Sequence, residues 1–440
     1  MFYKPSSCNY FTLSEKELLI VNFLKGISSF RVVTGNDVDL VKNYLSISLL
    51  DIKNPNALEK MLIDNGFLIP ENYDEDSEIE MLQLDYIYNS KLRIVVHVTK
   101  DCNFRCKYCF IDFENKKMDL LIQDKIIDYI RMNISKYSGV YISWFGGEPL
   151  LGMDVITHIS EEVIKICKRA KKPYVAGITT NGYLLKPETI EKLISLKVYN
   201  YCITLDGLKE THDAQRVLTN GKSSYDHIIE NLRYIKEKVS FRFLNICLRT
   251  NFTKQSLDQI DEYLLFLETE FGKDPRFVVL FKLASDWGGD RIESIRRNLL
   301  TPKSYATIYN SMIESNTSLY LDNLTSLFWG GMTCDAVRRN KYTISVDGQI
   351  AKCDTVCEET IIGYIDSTGW HFDYEAEARW LTVYKKGTDE CSNCVFKCMC
   401  FQGTCPKKKL LNPPQGTCPK PIFMDLLMLI YKKCFMKCEA

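Results

Sequence analysis

Three cysteines stand close together at Cys102, Cys106 and Cys109, in the run Thr99-Lys100-Asp101-Cys102-Asn103-Phe104-Arg105-Cys106-Lys107-Tyr108-Cys109-Phe110. The spacing is C-x3-C-x2-C, and it directly follows the apolar run Ile94-Val95-Val96-His97-Val98. Thiolate is the soft ligand that iron–sulfur clusters use. Three thiolates on one loop can hold three irons of a [4Fe–4S] cube and leave the fourth iron open. Two other readings exist, a zinc knuckle and a trio of buried core cysteines. A zinc site wants a fourth Cys or His nearby, and only His97 is close, inside the apolar run.

Further polar groups recur downstream. Phe145-Gly146-Gly147-Glu148-Pro149 puts two glycines, which let backbone approach a ligand closely, beside a carboxylate that can accept from an ammonium group. Thr179-Thr180-Asn181-Gly182, Leu205-Asp206-Gly207, His212-Asp213, Arg216 and Asn251 follow. Each alone is an ordinary turn or helix start, and His212 reads as a helix-start residue rather than a base. Their placement makes a series. Strands are predicted at residues 93–98, 140–144, 174–179, 201–205, 243–249 and 277–282, with amphipathic helices near 120–136, 155–169, 187–196, 225–238 and 257–271. Alternation of this kind predicts an α/β fold with a parallel sheet. Ligands bind such sheets at the carboxyl ends of the strands, and the polar groups stand there.

The cysteine spacing, with Tyr108 just before the third cysteine, and the Gly-Gly-Glu-Pro stretch resemble the radical S-adenosylmethionine (AdoMet, SAM) superfamily. The resemblance implies a partial (β/α)6 barrel whose catalytic cluster is held by Cys102, Cys106 and Cys109. The open iron would chelate AdoMet, and one-electron reduction would cleave it to methionine and a 5′-deoxyadenosyl radical. It assigns Gly146, Gly147 and Glu148 to the methionine amino group, and Thr180 and Asn181 to the methionine carboxylate or the ribose. Arg216 stands where the family's carboxylate-binding arginine does, a role that suits a guanidinium fork. Tyr108, Asp206 and Asn251 complete the AdoMet set, Asn251 toward the ribose.

The chain has 18 cysteines. In a long chain with no export signal such a count points to metal rather than disulfides. Cys8, Cys167, Cys202 and Cys247 are scattered singly and read as small apolar residues, whereas eleven cysteines lie between Cys334 and Cys438. Cys334, Gly348, Cys353, Cys391, Cys394, Cys400, Cys405 and Cys418 resemble the SPASM extension of radical AdoMet enzymes, with Cys405 one residue late and Cys398 a spare thiol. By position, one auxiliary [4Fe–4S] cluster would take Cys334, Cys353 and Cys405, with Cys357 as a candidate fourth ligand. A second would take Cys391, Cys394, Cys400 and Cys418, leaving Cys434 and Cys438 unneeded. A pair of zinc ribbons is the alternative.

Three domains are expected: residues 1–90, 91–310, and 311–440 as a bridging region with the SPASM domain. In the first, Ser14-Glu15-Lys16-Glu17 reads as a capping box opening a helix through Leu18, Leu19, Val21, Phe23 and Leu24 to Gly26. Helices near 38–45 and from Pro55 to Gly66 follow, then a short strand at Phe67-Leu68-Ile69. This order resembles a winged helix, a shape that in radical AdoMet peptide maturases holds a precursor's leader. Residues 70–89, rich in Asp and Glu, read as a solvated linker. Residues 276–331 read as loop-rich, and the turn Trp287-Gly288-Gly289 takes no role.

Composition is globular, with 46% hydrophobic and 25% charged residues and a net charge of zero, so no nucleic-acid partner is expected. No stretch reads as a signal peptide or membrane helix, and labile thiols suit a reducing cytoplasm. The resemblance thus implies an enzyme that crosslinks a ribosomal precursor peptide through a thioether or carbon–carbon bond, with flavodoxin or ferredoxin as electron donor. A maturase oxidising Cys or Ser to formylglycine is the alternative. From another class, a non-catalytic iron–sulfur electron carrier has no use for the Gly-Gly-Glu-Pro stretch.

Overall fold

In the computed structural model the described residues are 1–25, 29–315, 317, 319, 334–383, 389–392, 394–400, 405–410, 418, 420, 423–425, 427–428 and 431. Cys434 and Cys438 lie outside them. The chain divides into two compact units. One combines residues 1–89, 324–339 and 381–420, and the other combines 90–323, 340–380 and 421–440.

The first unit opens with β1 (Phe2–Tyr3), β2 (Cys8–Ser14), β3 (Glu17–Asn22) and β4 (Arg31–Thr34). α1 (Asp37–Ser46), α2 (Ala57–Asp64), β5 (Ile69–Pro70) and α3 (Glu75–Ile87) follow. β2, β3 and β4 form an antiparallel sheet in that order, and β1 pairs with β5. The helix expected after Ser14 is therefore strand β3. Ser14 and Glu17 do meet, Oγ to Oε2 at 3.4 Å, but across a two-residue hairpin turn. Leu18, Leu19, Ile20 and Val21 are all fully buried. A short apolar run buried on both faces has no period that separates strand from helix. Leu18 and Ile20 pack with Cys8 and Val33 of the sheet, Val38, Val41 and Leu45 of α1, and Leu62 of α2.

The expected linker at 70–89 is corrected in the same way, because it contains α3. Ile79, Gln83 and Ile87, four residues apart, are buried along one face. Its acids Glu75, Asp76 and Glu78 crowd the first turn, where the helix dipole favours negative charge. Asp74 caps it by accepting from Ser77 N at 3.0 Å. The Glu75 carboxylate accepts from the backbone N–H groups of Ser6 and Ser7 at 2.7 and 2.9 Å. Cysteine-rich segments pack onto these elements: the Phe396 ring lies 4.6 Å from Phe23, Lys397 Nζ lies 2.6 Å from Asp76, and the Arg338 guanidinium lies 4.0 Å over the Tyr86 ring.

The second unit runs β6 (Leu92–Thr99), α4 (Leu120–Asn133), β7 (Val140–Gly146), α5 (Met153–Arg169), β8 (Tyr174–Thr180), α6 (Pro187–Ser195) and β9 (Val198–Thr204). It continues through α7 (Lys209–Gln215), α8 (Tyr225–Lys238), β10 (Asn245–Phe252), the short α9 (Lys254–Leu257), α10 (Ile260–Phe271), β11 (Phe277–Leu283) and α11 (Ser304–Glu314). Strands β6 to β11 are parallel and adjacent in chain order. Their apolar side chains, such as Ile94, Ile142, Ile178, Ile203, Leu248 and Val279, are buried. Helices and strands alternate, so all six carboxyl ends lie on one edge.

Four more strands extend this sheet: β12 (Lys341–Ile344), β13 (Gln349–Ala351), β14 (Ile361–Asp366) and β15 (Gly369–Phe372). β12 lies parallel to β6, and the other three continue antiparallel. Residues 340–380 thus group with the α/β sheet and not with the rest of the C-terminal stretch. Polar residues disguise this in the sequence. Lys341 is buried, but its Nζ donates to Lys352 O at 2.6 Å and to Asp354 at 2.6 Å. Among the described residues no helix is long and apolar enough to cross a membrane.

Strand β3 is open to a direct test. Ile20→Ala is expected to cost about 2–5 kcal/mol, because Ile20 is 0% exposed. Leu40→Ala, on the exposed face of α1, is expected to change stability by less than about 0.5 kcal/mol. Urea unfolding, with amide exchange read on residues 17–22, checks both.

Candidate active site

The carboxyl ends of β6 to β11 enclose a cavity of about 920 Å³, counting solvent at its mouth. Cys102, Cys106 and Cys109 line it. The loop that carries them closes on itself through Cys109 N to Cys106 O, 3.2 Å, and is tied down by Arg105 N to Val217 O, 2.7 Å. Burial pushes the Cys102 thiol up to about 12 and Cys106 to about 11. The Arg216 guanidinium opposes burial at Cys106, and Arg216, Arg291 and Arg105 oppose it at Cys109. Cationic surroundings of this kind suit thiolates gathered around a metal. Among the described residues no three Cys, His, Asp or Glu side chains converge tightly enough for a single ion. A cube takes one thiolate per iron, so its ligands stand further apart than those of one ion.

Of the nine residues expected to hold AdoMet, seven line this same cavity: Tyr108, Gly146, Gly147, Thr180, Asn181, Arg216 and Asn251. The other two, Glu148 and Asp206, are not among its walls and lie fully buried. The Glu148 carboxylate accepts from Thr180 Oγ1 at 2.7 Å, Asn181 N at 2.8 Å and Leu150 N at 3.1 Å. Burial pushes its carboxyl up, and these three bonds pull it back. Its task is to hold the β8 turn against the β7 turn. The backbone before it is bound to the cysteine loop, Gly147 N to Thr99 O and Glu148 N to Asp101 O, both at 2.8 Å. A Cβ on Gly147 would stand 2.0 Å from Asp101 O, so only glycine allows this approach.

Asp206 is a second hub. It accepts from the Tyr108 hydroxyl, from Asn251 N at 2.7 Å and from Asn251 Nδ2 at 3.3 Å. Arg216 Nη1 donates to the Tyr108 hydroxyl at 2.6 Å and lies 3.7 Å from Asp206. Arg216 Nε is buried with no protein partner among the described residues, so the guanidinium keeps a donor in hand beside the cysteines. Asp206 N donates to His212 Nδ1 at 3.2 Å. His212 is fully buried, and burial holds its imidazole down to about 3. It is a neutral structural acceptor, as its placement at a helix start implied.

The sequence passed over several lining residues, among them Thr204, Arg249, Ser285 and Trp287. Strand parity was the signal for one of them. Arg249 stands two residues before Asn251, on the same face of β10. The Trp287-Gly288-Gly289 turn also gains a place, since Gly289 faces the cysteine loop closely enough that a Cβ there would stand 3.5 Å from Cys109 O. Of the auxiliary-cluster candidates, Cys353 and Cys357 belong to the α/β unit, and Cys334, Cys391, Cys394, Cys400, Cys405 and Cys418 to the other. Cys394 N bonds Cys391 O at 3.2 Å, which sets those two on one turn.

Gly147→Ala is expected to push the cysteine loop off the β7 turn, read as faster amide exchange at residues 147 and 148. His212 gives a pH prediction. Its folded value lies below the ordinary 6.5, so the unfolded chain takes the proton first. Stability is therefore lost as pH falls below about 6.5, by roughly 1 kcal/mol per pH unit from this group. His212→Asn is expected to flatten that slope in urea unfolding between pH 6 and pH 4.

Residues 96–264 match the family model of the radical SAM superfamily. Over 355 residues the chain is 26% identical to a cysteine-type anaerobic sulfatase-maturating enzyme of Clostridium novyi, covering 74% of this chain and 90% of that one. It is 26% identical over 302 residues to the radical SAM cyclopropyl synthase TigE of Paramaledivibacter caminithermalis, covering 57% of this chain and 61% of that one. Among solved structures, native anSMEcpe with bound AdoMet aligns with a TM-score of 0.59 at 16% identity over 79% of this chain and 97% of that one, a likeness of fold. Residues 96–264, which carry the three cysteines and the turns around them, are a radical SAM domain.

Proposed function

We propose that the protein modifies a ribosomally made precursor peptide, closing a thioether or carbon–carbon crosslink at a C–H position. One observation carries the reading: three cysteines, a two-glycine turn and an uncommitted guanidinium N–H converge on one cavity at the strand ends. The donor set fits the family's cofactors. Cys102, Cys106 and Cys109 would hold a [4Fe–4S] cluster. Gly146 and Gly147 backbone, Thr180 and Asn181, Arg216 and Asn251 would hold AdoMet, with Tyr108 beside them. Bound there, cluster and AdoMet supply one-electron chemistry that breaks C–H bonds beyond the reach of acid–base groups. The chain's own residues do the rest. Glu148 and Asp206 fix the walls, Arg216 places a positive charge for a carboxylate, and Phe104, Phe110, Ile111 and Phe113 make part of the wall apolar.

Two auxiliary clusters form part of the proposal, one on Cys334, Cys353 and Cys405 with Cys357, the other on Cys391, Cys394, Cys400 and Cys418. The four cysteines of the latter set fall in one compact unit, which supports it. Such clusters offer the electron left over from oxidative crosslinking a way out, with flavodoxin or ferredoxin as the external donor. β2 and β4 are the edge strands of the front sheet, and an edge strand is where an extended leader peptide pairs. A second reading, oxidation of Cys or Ser to formylglycine in a protein, is supported by the length of the alignment with the sulfatase-maturating relative.

Iron and sulfide analysis of anaerobically purified protein tests the reading, with AdoMet cleavage measured under dithionite. About twelve irons per chain are expected, falling by about four in the Cys102/Cys106/Cys109→Ala variant with loss of cleavage. Cleavage that survives in that variant overturns the proposal, and about four irons with zinc present removes the auxiliary clusters. A new aldehyde on a Cys-bearing peptide, with no crosslink, decides for the second reading.

A further inference from the structure

Cys202 and Cys247 are 45 residues apart in the chain, yet β9 and β10 set them side by side as direct partners in a parallel pair. Adjacent strands lie about 4.8 Å apart, inside the Cα separation of roughly 4.4–6.8 Å that a disulfide spans. Direct partners in a sheet point to the same face. That face is the cavity's. Thr204 and Arg249, two residues further along the same strands, line the cavity, as does Thr179, the β8 partner of Cys202. Both residues are only partly buried, unlike Cys8 and Cys167.

Their surroundings are electropositive. Arg249 and Arg216 act on Cys202, and Arg249 and Lys282 act on Cys247. Contact with Cys247 holds the Cys202 thiol below its ordinary value, and contact with Cys202, together with burial, pushes Cys247 up. A thiol held low beside one pushed up is the arrangement of an attacking and a resolving cysteine. Partial exposure in a cationic setting marks reactive rather than structural cysteines.

We propose that Cys202 and Cys247 form a redox-active thiol pair on the cavity-facing side of β9 and β10, which exchanges with small disulfides to give an intrachain disulfide. The Cys202 thiolate attacks one sulfur of R–S–S–R, a new S–S bond forms, and one R–S⁻ leaves. Cys247 then loses its proton and attacks the Cys202 sulfur of the mixed disulfide, and the second R–S⁻ leaves. Two protein thiols are oxidised, and one small disulfide is reduced to two thiols.

The test uses the anaerobically purified full chain with its clusters, treated with 2-hydroxyethyl disulfide. Acid quenching, alkylation with N-ethylmaleimide and digestion without reductant precede mass spectrometry. The expected product is a linked peptide pair holding Cys202 and Cys247, lighter by two hydrogen atoms than the two free peptides. Cys247→Ser is expected to trap Cys202 as the mixed disulfide, and Cys202→Ser to leave Cys247 alkylated. A merely structural pair would not split the two variants in this way. Recovery of both wild-type cysteines as maleimide adducts, at a disulfide concentration that fully converts N-acetylcysteine in the same tube, overturns the proposal. So does linkage of either one to a different cysteine.

Discussion

The carboxylate of Glu148 holds the active cavity together. It is buried beneath the strand ends, where an unpaired charge would be costly. Three hydrogen bonds to Thr180, Asn181 N and Leu150 N compensate it. Through these bonds this single group fastens the β8 turn to the β7 turn. The backbone on either side of Gly147 then reaches the cysteine loop after β6. Three consecutive strand ends are thus fixed to one another.

Asp206 repeats the arrangement on the other side. It gathers Tyr108 from the cysteine loop, Arg216 from the end of α7 and Asn251 from β10. His212 accepts from its backbone and remains neutral. Both carboxylates were expected to touch AdoMet, and both instead stand one layer behind the residues that do face the cavity. The distinction matters for function. A group that positions several others governs the shape of the site, whereas a wall residue such as Arg216 keeps donors available for a ligand.

The sheet that carries these hubs is longer than the chemistry requires. β12 to β15 extend it beyond β6, and their buried lysines are stabilised by backbone and carboxylate partners rather than by exposure. In the other unit, α3 serves two neighbours at once. Its first turn is bound to Ser6 and Ser7, and its length meets the segments at Val337 and Phe396–Lys397. The described cysteines after residue 330 are therefore divided between the two units.

The sequence by itself settled the six parallel strands, their helices and the loops that follow them. Period-2 and period-3.6 patterns are local, and Cys102, Cys106, Cys109, Gly146 and Gly147 act through short-range geometry. It misplaced β3 and α3. An apolar run of four residues has no readable period, and acids at a helix start look like a solvated linker. Only the tertiary structure decided that Glu148 and Asp206 lie beneath the cavity, that Arg249 and Trp287 line it, and that Cys202 stands beside Cys247. The physical reason is the same in each case. Depth below a surface and register between strands depend on contacts between residues far apart in the chain, and no local pattern encodes them.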